Sequence, residues 1–195
     1  MIIRLLNRIY GFFTEIRCRK WLICFIFWVF LGLNCSAQTK KTRTTFDIKY
    51  ALKSLYPDGF YVGIYRHEVY FVFNGNHVFV GSAIKSSAIE NHKKGYAGSV
   101  PLLIGIDSAN IISGIRLLPN LETEKYIDLL DSRDYLNRWT GMKVYPASFQ
   151  MVNAVSGATE TCHAIYFEVQ KVLKAFVEGN IEQYPTDKKL KKIML

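Results

Sequence analysis

The stretch that decides the fold reads VYFVFNGNHVFVGSAI and runs from Val69 to Ile84. Aromatic and β-branched residues fill both of its arms, and such residues favour strands because they pack well on a pleated surface. Between the arms stands Asn74-Gly75-Asn76, whose residue types accept the positive φ that tight turns require. The pattern therefore predicts a β-hairpin with strands at Val69–Phe73 and His77–Ile84.

Similar runs continue on both sides of this hairpin. They predict three further strands, at Phe60–Tyr65, Val100–Asp107 and Ile111–Leu118. A short helix is expected over Phe46–Tyr56, before the turn signal Pro57-Asp58-Gly59. The strand runs are too short and too interrupted for βαβ units, so the chain is expected to meander through an antiparallel sheet.

Two longer helices are predicted in the second half of the chain. One covers Glu122–Trp139. The other carries apolar residues at i, i+4, i+7, i+8 and i+11, and these are Ile165, Val169, Val172, Leu173 and Phe176. Gly179 is expected to end it, as a glycine just past a helix often does. The expected fold class is α+β, with a twisted, mainly antiparallel sheet flanked by helices in a single domain.

The first forty residues have a different character. Residues 21–33 are a run of apolar residues and glycine, preceded by Arg17, Arg19 and Lys20 and followed by small residues that end at Ala37. This order is typical of a secretory signal peptide cleaved after Ala37. An uncleaved N-terminal membrane anchor and lipidation at Cys35 are the alternatives. All three place the remaining chain in the periplasm or at the outer face of the cytoplasmic membrane.

The N-terminal segment 1–37 also accounts for much of the charge and cysteine content. The chain has 25 Lys+Arg against 16 Asp+Glu, a net charge of +9, and the segment holds five of the former and one of the latter. The remainder carries +5, which does not point to nucleic acid. Cys162 alone remains of four cysteines, which excludes an internal disulfide and a cysteine-built metal site. We expect no metal site, because the histidines show no ligand spacing.

The stretch that suggests chemistry is NAVSGATET, residues 153–161, which stands just before the last predicted helix. Free backbone N–H groups and the positive end of the helix dipole meet at a helix N-terminus, and phosphate binds well there. Gly157 and Ala158 would let the backbone approach an anion closely. The alternative is simple capping, since Ser and Thr precede many helices for that reason alone. Cys162 and His163 follow, but adjacency in sequence does not make a nucleophile pair.

The same residues resemble a known family. Ser156-Gly-Ala-Thr159 is similar to the flavinylation motif of the FMN-binding domain found in flavoprotein subunits of Rnf complexes and of the sodium-pumping NADH:quinone reductase. Residues 95–107 resemble the glycine-led strand of that family, and Ile112–Ile115 resembles its hairpin return. Leu121-Glu122-Thr123 is similar to its Glu-Thr element. The resemblance covers about residues 60–178.

This resemblance implies that FMN is attached to Thr159 through a phosphoester bond, which a flavin transferase forms from FAD. Three neighbours would shape the phosphate region, namely Ser156, Gly157 and Ala158. Thr161 would donate to the phosphate or cap the helix. Glu122 and Thr123 are expected near the isoalloxazine, with a helix N-cap as the alternative for Thr123. Trp139 is expected in the core, with a role as a ring-stacking partner as the alternative. The family has an aspartate where this chain has Asn153.

The expected organisation is a signal peptide or anchor at 1–37, a linker and short helix at 38–59, an FMN-binding domain at 60–178 and a basic C-terminal tail at 179–195. The resemblance implies an exported electron-transfer flavoprotein, a carrier or a component of a redox complex rather than a self-sufficient enzyme. Expected partners are the flavin transferase and membrane or periplasmic redox proteins, with possible contact of basic segments to a membrane surface. The alternative is a flavin-free binding or structural module that retains the fold.

Overall fold

A six-stranded antiparallel sheet forms the centre of the fold. The computed structural model describes residues 47–65, 68–147, 152–181, 183–185 and 192–195. The predicted signal peptide or anchor lies outside the described residues, and so does nearly all of the predicted linker. His67 and much of the predicted basic tail also lie outside them. Within the described ranges, no helix combines the length and the apolar character needed to cross a membrane.

Five of the six strands follow the predicted order closely, and the sixth, in the predicted basic tail, was not predicted. The strands are β1 Tyr61–Tyr65, β2 Val69–Phe73, β3 Phe79–Lys85, β4 Leu102–Asp107, β5 Ile112–Leu117 and β6 Lys192–Met194. Their order across the sheet is β5-β4-β3-β2-β1-β6, and every neighbouring pair is antiparallel. The predicted α+β class with an antiparallel meander is therefore confirmed.

Helices cover both faces of this sheet. They are α1 Ile48–Leu55, α2 Glu124–Ser132 and α3 Thr159–Val177, with a single kinked turn at Val144–Ala147. Because side chains alternate along a strand, Val69, Phe71 and Phe73 join the core that contains α3. Tyr70 and Val72 join the core that contains α1. All five residues of β2 are consequently buried.

The last helix buries the apolar stripe that the sequence predicts. Its five predicted core positions are all buried, namely Ile165, Val169, Val172, Leu173 and Phe176. At its end Gly179 has a φ of 73°. The N–H groups of Gly179 and Asn180 donate to the carbonyls of Phe176 and Ala175 at 3.2 and 2.9 Å. This pair of bonds is the Schellman arrangement, so the predicted glycine stop is confirmed.

The prediction of one helix over Glu122–Trp139 is wrong. Helix α2 ends at Ser132, and Asp134 follows with a φ of 50°. The change of chain direction at this residue places Tyr135 and Trp139 in the core. Their rings pack edge-to-face, with centroids 5.3 Å apart. Residues Leu136–Trp139 form a short 3-10 turn. Trp139 is fully buried, as expected of a core residue.

The first hairpin forms where predicted, but its turn differs in detail. Its positive φ belongs to His77, at 60°, rather than to Asn74, Gly75 or Asn76. The Asn74 side-chain oxygen accepts from the N–H groups of Asn76 and Val78, both at 3.0 Å. These bonds lengthen the turn, so the returning strand begins at Phe79 instead of His77.

Candidate functional site

Residues 153–158, called here the 153–158 loop, lead into α3 and carry most of the predicted site. The Val155 N–H donates to Cys162 Sγ at 3.2 Å, and the Ala158 N–H donates to the Val155 carbonyl at 3.1 Å. Gly157 has a φ of 87°, a conformation that favours glycine. Val155 and Ala158 are buried while Ser156 and Gly157 are exposed. The loop thus turns its hydroxyl and its glycine outward.

The N-terminus of α3 lacks a capping side chain. Ala158 occupies the N-cap position and makes no side-chain hydrogen bond, and the exposed Thr159 is the first helical residue. The capping alternative for the hydroxyls of this stretch therefore does not hold at the N-cap position. The first-turn N–H groups and the positive end of the helix dipole are the features that bind phosphate at other helix starts.

Thr161 lies in the first turn of α3 and is 1% exposed. Within the described part of the chain, its Oγ1 has no hydrogen-bond partner. Since Ala158 holds the N-cap position, the alternative that Thr161 caps the helix is not supported. A buried hydroxyl without a partner costs about 1–3 kcal/mol, so a ligand oxygen beside it would remove a real penalty.

Cys162 and His163 lie on different sides of α3. Cys162 is buried and His163 is exposed. Burial raises the pKa of the Cys162 thiol, opposed by its hydrogen bonds with the Val155 amide and Tyr135 and by the charge of Arg138. A neutral buried thiol is a poor nucleophile. Cys162 instead serves as the acceptor that holds Val155.

Glu122 is buried beneath the loop Gly95–Gly98, called here the glycine loop. Its Oε1 accepts from the N–H groups of Ala97 at 3.0 Å and Thr123 at 3.1 Å. Its Oε2 is buried and, among the described residues, has no hydrogen-bond partner. A Cβ at Gly95 would collide with this oxygen. The carboxylate therefore packs directly against the glycine loop, and a side chain at position 95 would have to displace it.

The glycine loop presents an aromatic ring that the sequence did not single out. Tyr96 is 67% exposed and packs edge-to-face on Tyr126 of α2, with ring centroids 4.9 Å apart. Thr123 is half-buried at the N-cap of α2, where its side chain makes no capping hydrogen bond. Glu122, Thr123 and Tyr96 thus gather at the beginning of α2.

Helix α2 connects these residues to the 153–158 loop. Leu129 Cδ1 lies 3.6 Å from the position that a Cβ would take at Gly157. Tyr126 and Leu129 are three residues apart and so share one side of the helix. At 1.5 Å per residue, Thr123 and Leu129 are about 9 Å apart along the axis. The two predicted parts of the site are therefore joined by one short helix.

Arg138 is a second residue that sequence reasoning missed. One of its guanidinium N–H groups donates to the Asn153 carbonyl at 2.6 Å. The contact joins residues fifteen positions apart and uses a backbone acceptor, so no motif could have revealed it. Among the described residues, no group of three His, Cys, Asp or Glu side chains is placed to hold a metal ion.

Comparison with known proteins agrees with this geometry. Residues 95–174 match the FMN-binding domain family, a range that includes the glycine loop, Glu122, α2 and the 153–158 loop. The chain is also similar to a component of the ion-translocating oxidoreductase complex of Aliivibrio fischeri (strain MJ11). The two are 36% identical over 66 residues, which is 34% of this chain and 28% of that protein. The segment 95–174 therefore matches the model of the FMN-binding domain family, and FMN is the cofactor that this match indicates.

Proposed function

We propose that this protein is an electron-transfer flavoprotein that carries FMN covalently on Thr159. One observation supports this most strongly. Thr159 is exposed at the start of α3, where no side chain caps the helix and where Thr161 buries an unpartnered hydroxyl. A phosphate on Thr159 would accept from the free first-turn N–H groups, interact with the helix dipole and lie close to Thr161.

Attachment is a phosphoryl-group transfer in which a flavin transferase would use FAD. The Thr159 hydroxyl oxygen forms a bond to the phosphorus on the flavin side of the FAD pyrophosphate. The bond from that phosphorus to the bridging oxygen breaks, AMP leaves, and the hydroxyl proton passes to a base of the transferase or to water. Ser156 and Gly157 turn outward beside Thr159, so the loop leaves room for an enzyme to approach.

The isoalloxazine would lie toward the beginning of α2. FMN, when bound, exchanges one or two electrons, and the protein supplies position and electrostatics. Glu122 acts there through the glycine loop, since its carboxylate is buried and bonded to Ala97 and Thr123. Tyr96 offers an exposed ring and Thr123 a hydroxyl. We propose that these two side chains contact the flavin.

We further propose that the chain is exported and works beside membrane redox proteins. The support is the N-terminal run 21–33 with its basic flank, together with similarity to a component of an ion-translocating oxidoreductase complex. N-terminal sequencing of the protein from cell envelopes tests export. We expect a mature chain that begins at Gln38, whereas a chain that begins at Met1 in the cytoplasmic fraction would contradict the proposal.

Covalent flavin binding is tested by producing the protein with and without a flavin transferase and running both samples on a denaturing gel. We expect yellow-green flavin fluorescence at the protein band only with the transferase. Absence of the band would refute covalent attachment. Absence of FMN after native purification as well would favour the flavin-free module, the alternative that Asn153 leaves open.

A further inference from the structure

We propose that Arg138 is a positioning residue for attachment of FMN, because it holds the 153–158 loop in the conformation that exposes Thr159. This inference rests on the function proposed above. Arg138 follows α2 in the short 3-10 turn Leu136–Trp139. Its guanidinium donates to the carbonyl of Asn153, the first residue of the loop, at 2.6 Å. Hydrogen bonds from a charged donor are about twice as strong as neutral ones.

Arg138 is itself held by the core beneath the loop. Its guanidinium carbon lies 5.1 Å from the centre of the Tyr135 ring, a cation–π distance. Tyr135 is buried, and its hydroxyl donates to the carbonyl of Cys162 in the first turns of α3 at 3.1 Å. The Cys162 thiol in turn accepts from the Val155 N–H at 3.2 Å. A continuous set of contacts therefore runs from Arg138 through Tyr135 to α3 and back to the loop.

Two fixed points on the loop follow from these contacts. Arg138 fixes the carbonyl of Asn153, and Cys162 fixes the amide of Val155, two residues later. The outward turn at Ser156-Gly157 and the exposed Thr159 come directly after. Without Arg138 the first of these points is lost, so Thr159 would sample more positions and a transferase would meet the productive one less often.

The contact with Arg138 does not depend on the side chain at position 153. Arg138 uses the backbone carbonyl of Asn153, which every residue at that position retains. Asn153→Ala should therefore leave the contact intact. Asn153→Asp adds a negative charge to the residue whose carbonyl binds the guanidinium, and we expect this attraction to tighten the loop. The chain thus retains its positioning contact without the aspartate of the family motif.

The test measures transfer of FMN from FAD to the purified protein by a flavin transferase, together with the melting temperature of each variant. For Arg138→Ala we expect kcat/KM for the protein substrate to fall about tenfold, with little change in the melting temperature. Arg138→Lys should restore part of the rate, since an ammonium can also donate to the carbonyl. Arg133→Ala removes an exposed arginine from the end of α2 and should transfer at the wild-type rate.

The Arg138→Met variant tests the contact with Asn153 in a second way. It keeps an unbranched stem over Tyr135 but removes the donors, so the packing remains while the contact to Asn153 is lost. Amide exchange of Val155 should be faster in this variant, and this measurement does not depend on flavin. Unchanged transfer and unchanged exchange in both variants would overturn the inference. If the wild type accepts no FMN while Val155 still responds, the proposed function has failed and the role of Arg138 in holding the loop stands.

Discussion

Helices α1, α2 and α3 begin in three different ways. At α1, the Asp47 side chain accepts from the Lys49 N–H at 2.9 Å, an ordinary N-cap. At α2, the buried Glu122 carboxylate accepts from the Thr123 N–H at 3.1 Å. At α3, the longest of them, Ala158 offers no acceptor. A side-chain carboxylate thus accepts from one N–H at the start of α1 and of α2, whereas the start of α3, where the family motif lies, is open because no described side chain caps it.

This open start carries two costs. Ala at an N-cap in place of Ser, Thr, Asp or Asn costs about 1 kcal/mol. The unpartnered hydroxyl of Thr161 adds a further penalty of about 1–3 kcal/mol. A phosphate bound at this end would relieve both. The comparison therefore indicates that the start of α3, with an alanine at the N-cap and a buried hydroxyl in its first turn, would be stabilised by a bound phosphate.

Thr159→Ala should have the largest effect, because it removes the atom that would carry FMN. We expect complete loss of flavin fluorescence from the denatured protein after production with a flavin transferase. Thr159→Ser retains a hydroxyl and should still be labelled. Fluorescence that persists in Thr159→Ala would place the attachment elsewhere.

Glu122→Ala should have the next largest effect, because it removes the acceptor that joins the glycine loop to the N-cap residue of α2. Loss of the acceptor for Ala97 and Thr123 should lower the free energy of unfolding by about 2 kcal/mol, as measured by urea denaturation. Glu122→Gln keeps an oxygen acceptor of the same shape and should lose less. Equal stability of the alanine variant and the wild type would show that these two hydrogen bonds do not stabilise the fold.

Exchanging the capping chemistry of α1 and α3 should have effects of about 1 kcal/mol each. Asp47→Ala should lower stability by about 1 kcal/mol and leave FMN attachment unchanged. Ala158→Ser supplies an acceptor to α3 and should raise the stability of the flavin-free protein while it slows attachment, because its hydroxyl competes with phosphate for the same N–H groups. Faster attachment in Ala158→Ser would contradict the account of an open start.

Thr161→Val should have the smallest effect, of about 1 kcal/mol or less. It replaces a buried, unpartnered hydroxyl with a methyl group of the same shape. The flavin-free variant should melt at a higher temperature than the wild type. Loading with FMN should reverse the order, since only the wild type gains a bond from that hydroxyl. A lower melting temperature for the flavin-free variant would mean that the hydroxyl already has a partner.

The sequence predicts what depends on local pattern. The strand runs and the stripe from Ile165 to Phe176 are readable because hydrophobic periodicity reports which face is buried. The break after Ser132 was not readable, because the positive φ of Asp134 serves the burial of Tyr135 and Trp139 by the rest of the fold. Hydrophobic periodicity alone therefore predicts a helix that continues past Ser132.

The candidate site also combines residues that a local pattern reveals with residues that only the fold brings together. The residues from Ser156 to Thr161 are contiguous in sequence, so a motif could identify them. Their predicted contacts with FMN stay predictions. The burial of Glu122 depends on Ala97, twenty-five residues earlier, and on the missing side chain of Gly95. Arg138 contacts only the backbone of Asn153 in the loop. Such long-range contacts leave no local signal in the sequence.

Peptide mapping of the protein after production with a flavin transferase tests the central claim most directly. Trypsin cleaves after Lys143 and Lys171, so one peptide contains Ser156, Thr159 and Thr161. The account predicts that this peptide gains the mass of FMN less one water and that fragmentation assigns the added mass to Thr159. An unmodified peptide, or FMN on either of the other two hydroxyls, would contradict it.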